Sequence, residues 1–252
     1  MARSAMSLTV GLVAGLGSAP RAPGVMPTAF AVEPAVEVRP IVVGGDAGSY
    51  AWMMPHEGAP AVERGSSVST PRSRDLAALS SRSADAAIAQ RDPVALAFAA
   101  GLALGAAGVD DASRAKVVAR SRQASSEYAP DVASALELAA TRLERGDACE
   151  DCLAAVFRAC ATTENLRRPA HAALAAGMWS ASLLLTVERH GNVERHRSIG
   201  TMLSTVLASE VGDARGRRLA SGMSRLVGFV DEAPRSRGVY AVVAAMAEPA
   251  PR

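Results

Sequence analysis

Residues 169–187 read PAHAALAAGMWSASLLLTV, a long apolar stretch that opens on a proline. Proline is favoured at the first helical position, so Pro169 indicates where a helix begins. Most of the residues that follow are alanine, leucine and methionine, which have the lowest intrinsic cost of being helical. The stretch therefore predicts a buried helix, which we expect to end near Gly191 because glycine commonly follows a helix.

The same proline opening recurs at Pro93 and Pro130, which lie 37 residues apart, and Pro169 follows after 39 more. A period near 40 residues is typical of helix-hairpin repeats. Segments 192–197 and 213–218 resemble the openings of second helices in HEAT-type repeats. That resemblance covers about the last two-thirds of the chain and implies a short array of α-hairpins. Any set of antiparallel helices with ordinary caps gives similar spacing, so a compact bundle is the alternative.

The composition agrees with a helical fold. Hydrophobic residues make up 49% of the chain and aromatic residues 4%, so alanine, leucine and valine must build the core. We therefore predict an all-α protein, either an antiparallel helical bundle or a short HEAT-like α-hairpin array. A Pro/Gly-rich and largely irregular N-terminal segment precedes the helices in this prediction.

The predicted organisation has two parts: a leader and irregular arm at residues 1–68, and a helical domain at residues 69–252. Proline at high density prevents continuous helix in the first part. Residues 1–31 are a candidate signal segment, because an apolar run is followed by the small-residue pattern Ala29-Phe30-Ala31. Breaks in that run favour a cytoplasmic location, with export after cleavage near Ala31 as the alternative. The prolines of the first part are Pro20, Pro23, Pro27, Pro34, Pro40, Pro55 and Pro60.

The charge pattern gives no clear nucleic-acid signature. The formal net charge is +2, from 27 basic and 25 acidic residues. Arg215, Arg217 and Arg218 form a local basic cluster that we take as a candidate binding surface, with a solvated helix face as the alternative. No run of about 20 consecutive apolar residues occurs, so we predict no transmembrane helix.

The three cysteines form the sharpest local motif. Cys149 and Cys152 have CxxC spacing, and Cys160 falls on the same predicted helical face, where small buried cysteines pack as hydrophobes. The alternatives are a redox pair or a metal site with His171 as a further ligand. The CxxC resembles that of the alkylhydroperoxidase-D family, which implies thiol-redox chemistry. That family places a histidine four residues after the second cysteine, where this chain has Val156.

A cluster of large apolar residues lies in the proline-rich part. Trp52-Met53-Met54-Pro55-His56 suits either a docking peptide that inserts Trp52 into a partner or an arm folded over the protein's own helices. We favour the arm, because large apolar side chains rarely stay exposed.

A doubled Glu-Arg-His occupies residues 188–190 and 194–196. We interpret it as a solvated turn between helices, with a divalent metal site as the alternative.

No residue set predicts catalysis, and no cofactor is predicted. The leading hypothesis is a non-enzymatic helical scaffold or interaction protein with an unidentified protein partner. The alternative is a thiol-redox or metal-binding helical protein that uses the pair Cys149 and Cys152.

Overall fold

The computed structural model describes residues 71–106, 111–124, 126–147, 150–232 and 235–248. Within these ranges every regular element is helical, which confirms the predicted all-α fold. The predicted leader and arm, residues 1–68, lie outside the described residues. The helices are α1 (Pro71–Gln90), α2 (Pro93–Gly105), α3 (Asp111–Ala124), α4 (Pro130–Glu144), α5 (Glu150–Cys160), α6 (Thr163–Leu166), α7 (Pro169–Glu188), α8 (Arg197–Glu210), α9 (Ala214–Asp231) and α10 (Ser236–Ala247), with a 3-10 turn at Glu194–His196 before α8.

Helices α2 and α7 form the centre of the core. Of the 20 residues of α7, 17 are buried, and 10 of the 13 residues of α2 are buried as well. A helix that is apolar on all sides is stable in water only when other helices enclose it. The apolar stretch at residues 169–187 is therefore the helix around which the others pack.

The two central helices pack backbone against backbone through small residues. A Cβ added at Gly177 would lie 3.0 Å from both the Cα of Gly101 and the backbone nitrogen of Leu102. One turn further along, Gly105 faces Ala181. Residue numbers increase in the same direction along the contact between α2 and α7, so the two helices are parallel. Small residues four positions apart on each helix permit their close approach.

The outer helices at the C-terminal side run antiparallel to their neighbours. Ser204 on α8 donates to Ala220 O at 3.2 Å and bonds the hydroxyl of Ser224 at 2.7 Å, both on α9. Gly200 on α8 faces Val227 on α9, so residue numbers run in opposite directions along this pair. Between α9 and α10, Gly222 faces Met246 and Phe229 faces Gly238, which again gives opposite directions. This side of the core is therefore covered by a three-helix antiparallel layer.

The ends of the helical region meet, which defines a bundle. Arg72 at the start of α1 lies over the Tyr240 ring of α10, 5.0 Å from its centroid. Its backbone N–H also donates to Glu188 at the end of α7, at 3.4 Å. In a repeat array each unit contacts only its neighbours. The packing is therefore that of a bundle and not of a HEAT-like array, but its central pair, α2 and α7, is parallel, whereas an antiparallel bundle was predicted.

Several predicted helix boundaries are confirmed. Pro93, Pro130 and Pro169 each occupy the first turn of a helix. The carboxylate of Asp92 accepts from Ala95 N at 2.8 Å, which caps the N-terminus of α2. Gly146, just after α4, has φ +68°, the left-handed conformation that glycine adopts at low cost.

The connection from α7 to α8 differs from the prediction. The left-handed residue after α7 is His190, with φ +54°, and not Gly191. Segment 192–197 was expected to open the next helix, but α8 begins only at Arg197. The Asn192 side chain instead accepts from Glu194 N at 3.0 Å and so opens the 3-10 turn. The physical reason is that the side-chain oxygen of Asn192 is already hydrogen-bonded to the backbone two residues on, in an Asx turn, before the α-helix starts.

A buried arginine closes the C-terminus of α2. Arg114 on α3 is 4% exposed, and its guanidinium donates to Ala103 O at 2.7 Å and to Leu104 O at 2.9 Å. It also bonds Asp111 on its own helix. The last carbonyls of a helix have no partner within the helix, so this side chain supplies the donors they need.

Candidate functional site

A cleft lies at the end of α1. Its volume is about 400 Å³, and it lies between the α1–α2 turn and the segment that leads into α4. Apolar side chains form one part of its lining and charged side chains another. This mixture is usual in binding sites, where apolar walls provide contact area and a few polar groups fix orientation. The lining residues are Ala87, Ile88, Arg91, Asp92, Pro93, Leu96, Ser126 and Glu127.

Ile88 gives the cleft an exposed apolar contact point. It is 37% exposed, and Leu138 on α4, at 50%, is the other large apolar side chain exposed among the described residues. Single exposed apolar residues are common on protein surfaces. Ile88 differs from Leu138 because it lines a cleft, so it can be covered by a ligand on more than one side.

Arg91 stands at the rim of the cleft in a strained backbone conformation. Its φ is +54°, in the left-handed region that usually carries glycine. A side chain in this region costs roughly 1–2 kcal/mol. Hydrogen bonds from Arg91 N to Ile88 O at 3.0 Å and from Asp92 N to Ala87 O at 2.9 Å show that this residue ends α1, as left-handed residues commonly do. Arg91 is also exposed, so its guanidinium is available to an incoming acidic group.

The neighbouring Asp92 is held in place from two sides. Besides capping α2, its carboxylate forms an ion pair with Arg215 at the start of α9, whose side chain is 10% exposed. Arg215 was a candidate binding residue, and the structure places it within the protein, where it fixes the cleft wall. The cleft is therefore built on anchored helix ends.

The other two candidate arginines contact the protein's own backbone. Arg217 donates to Gly212 O at 2.8 Å, and Arg218 donates to Glu248 O. Arg217 is exposed, and Arg218 is partly buried. Both therefore secure the ends of helices near α9, and neither lines the cleft.

Two of the three cysteines, Cys152 and Cys160, lie on α5. Cys152 and Cys160 are buried on one face together with Val156, and Cys160 carries a free thiol. Burial raises the pKa of the Cys160 thiol far above its usual range, so this sulfur is a poor nucleophile. Cys152 is disulfide-bonded. Cys149 lies outside the described residues.

His171, the candidate metal ligand, is engaged on both ring nitrogens. Its Nε2 accepts from Ala129 N at 3.0 Å, and its Nδ1 lies 3.1 Å from Asn165 O. The ring stacks on Tyr128, with 5.6 Å between centroids. Burial is the largest cause of a lowered His171 pKa. This neutral imidazole therefore joins α4, α6 and α7 as a structural bridge.

His196 is a buried residue that the sequence analysis placed on a solvated turn, and that placement is wrong. It is 1% exposed, its Nε2 lies 3.1 Å from the Thr186 hydroxyl, and its backbone carbonyl accepts from the indole of Trp179. The hydroxyl–imidazole contact has the spacing of a nucleophile and its base. Nδ1, however, has no hydrogen-bond partner among the described residues, so nothing there orients the ring as a catalytic base does.

The doubled Glu-Arg-His therefore does not converge. His190 is exposed, His196 is buried, and Glu194 forms an ion pair with Arg197 at 2.7 Å. In the described part of the chain no group of three or more metal-binding side chains comes together.

The burial of His196 makes stability depend on pH. Desolvation lowers its pKa to about 4, against an ordinary value near 6.5 in the unfolded chain. The contribution of neutral His196 to the free energy of unfolding is complete above pH 6.5. It is lost as the pH falls, because only the unfolded chain then takes up the proton. Between pH 6.5 and 5 we expect a loss of about 2 kcal/mol from this histidine. Urea unfolding across this range measures it.

A matched pair of variants isolates the effect. His196→Gln keeps a neutral hydrogen-bonding side chain and is expected to flatten the pH dependence, whereas His190→Gln, at an exposed site, leaves it in place. If the free energy of unfolding depends on pH equally in wild type and in His196→Gln, the assignment of this dependence to His196 is contradicted.

Two further predictions concern Trp52 and membrane-spanning helices. Trp52 and its neighbours lie outside the described residues. Among the helices of the described residues, α7 alone has the length and composition to cross a membrane, and 94% of its most apolar 18-residue window is buried inside the protein.

Comparison with protein-family models, with curated proteins and with solved structures finds no match to this chain.

Proposed function

We propose that this is a non-enzymatic interaction protein whose helical domain binds a segment of a partner protein in the cleft beside Ile88. The observation that carries the proposal is the combination, in one cleft, of an exposed isoleucine and an arginine held in a strained conformation. The turn that ends α1 places the charged side chain of Arg91 beside the apolar side chain of Ile88.

The chemistry of the lining defines the ligand class. Ala87, Ile88 and Leu96 offer apolar surface. Arg91 offers a guanidinium, which binds one carboxylate with two parallel hydrogen bonds, and the exposed carboxylate of Glu127 in the same lining disfavours further acidic groups. A peptide segment with one or two large apolar side chains next to an acidic residue satisfies both parts. Most of the affinity of such contacts comes from a buried apolar anchor.

Peptide display on the full chain tests this proposal. The selected peptides should combine an apolar anchor with an acidic residue, and Ile88→Asp should weaken their binding at least about tenfold, since a hot-spot anchor contributes about 2 kcal/mol or more. Leu138→Asp is the matched control, because it places the same charge at the other exposed apolar residue. Peptides that bind both variants equally well would contradict the proposal.

Arg91→Gly separates binding from folding. Glycine relieves the left-handed strain, so the free energy of unfolding should rise by about 1 kcal/mol. Loss of the guanidinium should at the same time weaken the selected peptides. Chemical unfolding and peptide titration on the same preparation give both values, and a variant that is more stable and still binds at full affinity would exclude Arg91 from the site.

The disulfide at Cys152 favours a second candidate function, thiol–disulfide exchange by Cys149 and Cys152. A partner dithiol would reduce the disulfide by two electrons and two protons and would itself leave as a disulfide. Support comes from the position of Cys152 in the first turn of α5, where the helix dipole stabilises a thiolate. The buried Cys160 would take no part.

A redox titration of the full chain tests the second candidate. A catalytic pair has a reduction potential well above about −300 mV, whereas a structural disulfide lies below it. Thiol labelling should find no reactive group in the folded oxidised protein, one after unfolding and three after reduction. A potential below that limit would leave a structural disulfide, which suits an exported protein. N-terminal sequencing of the mature protein would test export after cleavage near Ala31.

A further inference from the structure

One wall of the cleft is the segment of residues 126–129, which connects α3 to α4 and lines the cleft through Ser126 and Glu127. We call this segment the cleft wall. Its Tyr128 hydroxyl bonds the hydroxyl of Ser121 on α3 at 2.6 Å. The position of the cleft wall therefore depends on side-chain contacts with the surrounding helices.

The cleft wall is also joined to α7 by a hydrogen bond that depends on protonation. Ala129 N donates to His171 Nε2 at 3.0 Å, and His171 Nδ1 lies 3.1 Å from Asn165 O. A backbone N–H can only donate, so Nε2 is the unprotonated nitrogen and Nδ1 carries the proton. When Nε2 takes up a second proton, two donors face each other and the bond to the cleft wall is lost.

We propose that His171 makes the cleft sensitive to pH, because protonation of its Nε2 releases the cleft wall and thereby weakens ligand binding in acid. The ring is 0% exposed and stacks on Tyr128 with the two ring planes 4° apart. A buried imidazolium without a partner for Nε2–H is costly, so proton uptake requires that the cleft wall moves away and admits water. The statement about binding rests on the proposed function, whereas the release of the cleft wall does not.

The groups around the ring keep it neutral while the cleft wall is closed. Burial is the largest cause of the lowered His171 pKa, and Arg168 before α7 lowers it further, whereas Asp131 on α4 acts in the opposite direction. Cys160 on α5 adds no charge, because burial raises the pKa of its thiol far above the usual range. Burial keeps the Tyr128 hydroxyl neutral in the same way.

The direction of the effect follows from proton linkage. With the cleft wall closed, the pKa of His171 lies below the ordinary value of about 6.5, and with the wall released the ring approaches that value. The released form therefore binds more protons than the closed form as the pH falls below 6.5. The ratio of released to closed wall rises by up to about tenfold for each pH unit, until the closed form is protonated as well.

Hydrogen exchange of the Ala129 amide in the full chain tests the release of the cleft wall. Its protection, corrected for the intrinsic exchange rate, should fall about three- to tenfold for each pH unit between pH 6.5 and 5. In His171→Gln, whose side chain takes up no proton, this dependence should disappear. In His196→Gln, which removes the other buried imidazole, it should remain. Retention of the full dependence in His171→Gln would overturn the inference.

Nuclear magnetic resonance of the parent chain gives a second test that needs no folded His171→Gln. The imidazole nitrogens of His171 and the amides of Glu127 and Ala129 should titrate together, with one midpoint below about pH 6.5. If the ring titrates while both amides stay unchanged, proton uptake does not release the cleft wall and the inference is wrong.

Peptide titration tests the effect on binding. A peptide selected on the cleft should bind the parent chain at least about fivefold more weakly at pH 5 than at pH 7, because only the form with a closed wall binds it. His171→Gln should lose most of this difference, and His190→Gln, at an exposed site, should keep it. The carboxylates of the peptide and of Glu127 also titrate in acid, but they are common to all three chains.

The results separate this inference from the proposed function. A peptide that binds the parent chain equally well at pH 7 and pH 5 overturns the pH sensitivity of the cleft and leaves the proposed function standing. If no peptide binds through Ile88 at either pH, the proposed function fails, and the exchange of the Ala129 amide still decides whether His171 holds the cleft wall.

Discussion

Gly177→Ala is expected to lower the free energy of unfolding by about 3 kcal/mol or more, because the added methyl group meets backbone atoms of α2. Its Cβ would lie 3.0 Å from both Gly101 Cα and Leu102 N, and it would collide with the carbonyl of Phe98. Backbone cannot rotate away as a flexible side chain can, so α2 and α7 would have to separate. Gly177→Leu is expected to prevent folding altogether.

Gly228→Ala is the matched control. Gly228 lies inside α9, and an added Cβ there meets nothing within 4 Å. Since alanine is the better helix former, this change should raise the free energy of unfolding by about 0.5–1 kcal/mol. Urea unfolding followed by circular dichroism measures both variants. If Gly177→Ala and Gly228→Ala change the free energy of unfolding in the same direction, the close contact between α2 and α7 does not determine the stability of the core.

The second large effect is expected at Arg114. Arg114→Met fills a similar volume but leaves the carbonyls of Ala103 and Leu104 buried without donors, and it also leaves Asp111 without its partner. Breaking a buried network of this kind costs about 3–5 kcal/mol. We expect a correspondingly lower midpoint in urea, with the far-ultraviolet circular dichroism of the folded state retained.

Arg122→Met on the same helix is the control for this prediction. Arg122 forms an ion pair with Glu137 at 2.7 Å, but the two side chains are 40% and 60% exposed. Exposed pairs contribute about 0–1 kcal/mol, so the change should be small. Arg114→Lys should fall between the two, because one ammonium group cannot serve both carbonyls and the carboxylate at once. Equal losses in Arg114→Met and Arg122→Met would contradict the capping role.

The interior helices follow from sequence because each carries its own start signal. Asp92 with Pro93 marks α2, and Asp213 marks α9, where its carboxylate accepts from Gly216 N at 2.8 Å. These signals act over three or four residues, so they are readable without the tertiary structure. The uniform apolar character of residues 169–187 likewise predicted a buried helix.

The pairing of helices does not follow from sequence in the same way. Gly101, Gly105 and Gly177 are small, but a small residue permits close approach to any partner and selects none. Regular proline spacing suggested neighbouring hairpins, whereas the structure pairs α2 with α7 in parallel across the interior. Local caps carry no information on this choice, because it depends on which apolar surfaces together exclude the most water.

The residues of the candidate site likewise could not be placed from local sequence signals. His196 stands in a strongly polar stretch, Glu194-Arg195-His196-Arg197, and was therefore taken as solvated. It is buried because the 3-10 turn directs it under Trp179 and Thr186, and that turn has no clear sequence signal. The cleft was not predicted either, since Ile88 and Glu127 lie 39 residues apart in the chain.

The anchoring of α2 explains how the cleft keeps its shape. Asp92 and Arg215 fix its N-terminal end, and Arg114 fixes its C-terminal end. Pro93 and Leu96, which line the cleft, therefore stand on a helix that is held at both ends. A site on a rigid element needs little ordering when it binds, so less of the contact energy is lost on binding.

The parallel pairing of α2 with α7 has a consequence for synthesis on the ribosome. Residue 105 emerges 64 residues before residue 169, so α2 waits for the helix that covers it. At about 5–20 residues per second, this interval lasts roughly 3–13 s. During it the face of α2 that packs against α7 has no partner, and an exposed apolar helix face is the kind of surface that chaperones bind. The expression yield of this protein should therefore respond to ribosome-associated chaperones more strongly than its equilibrium stability suggests.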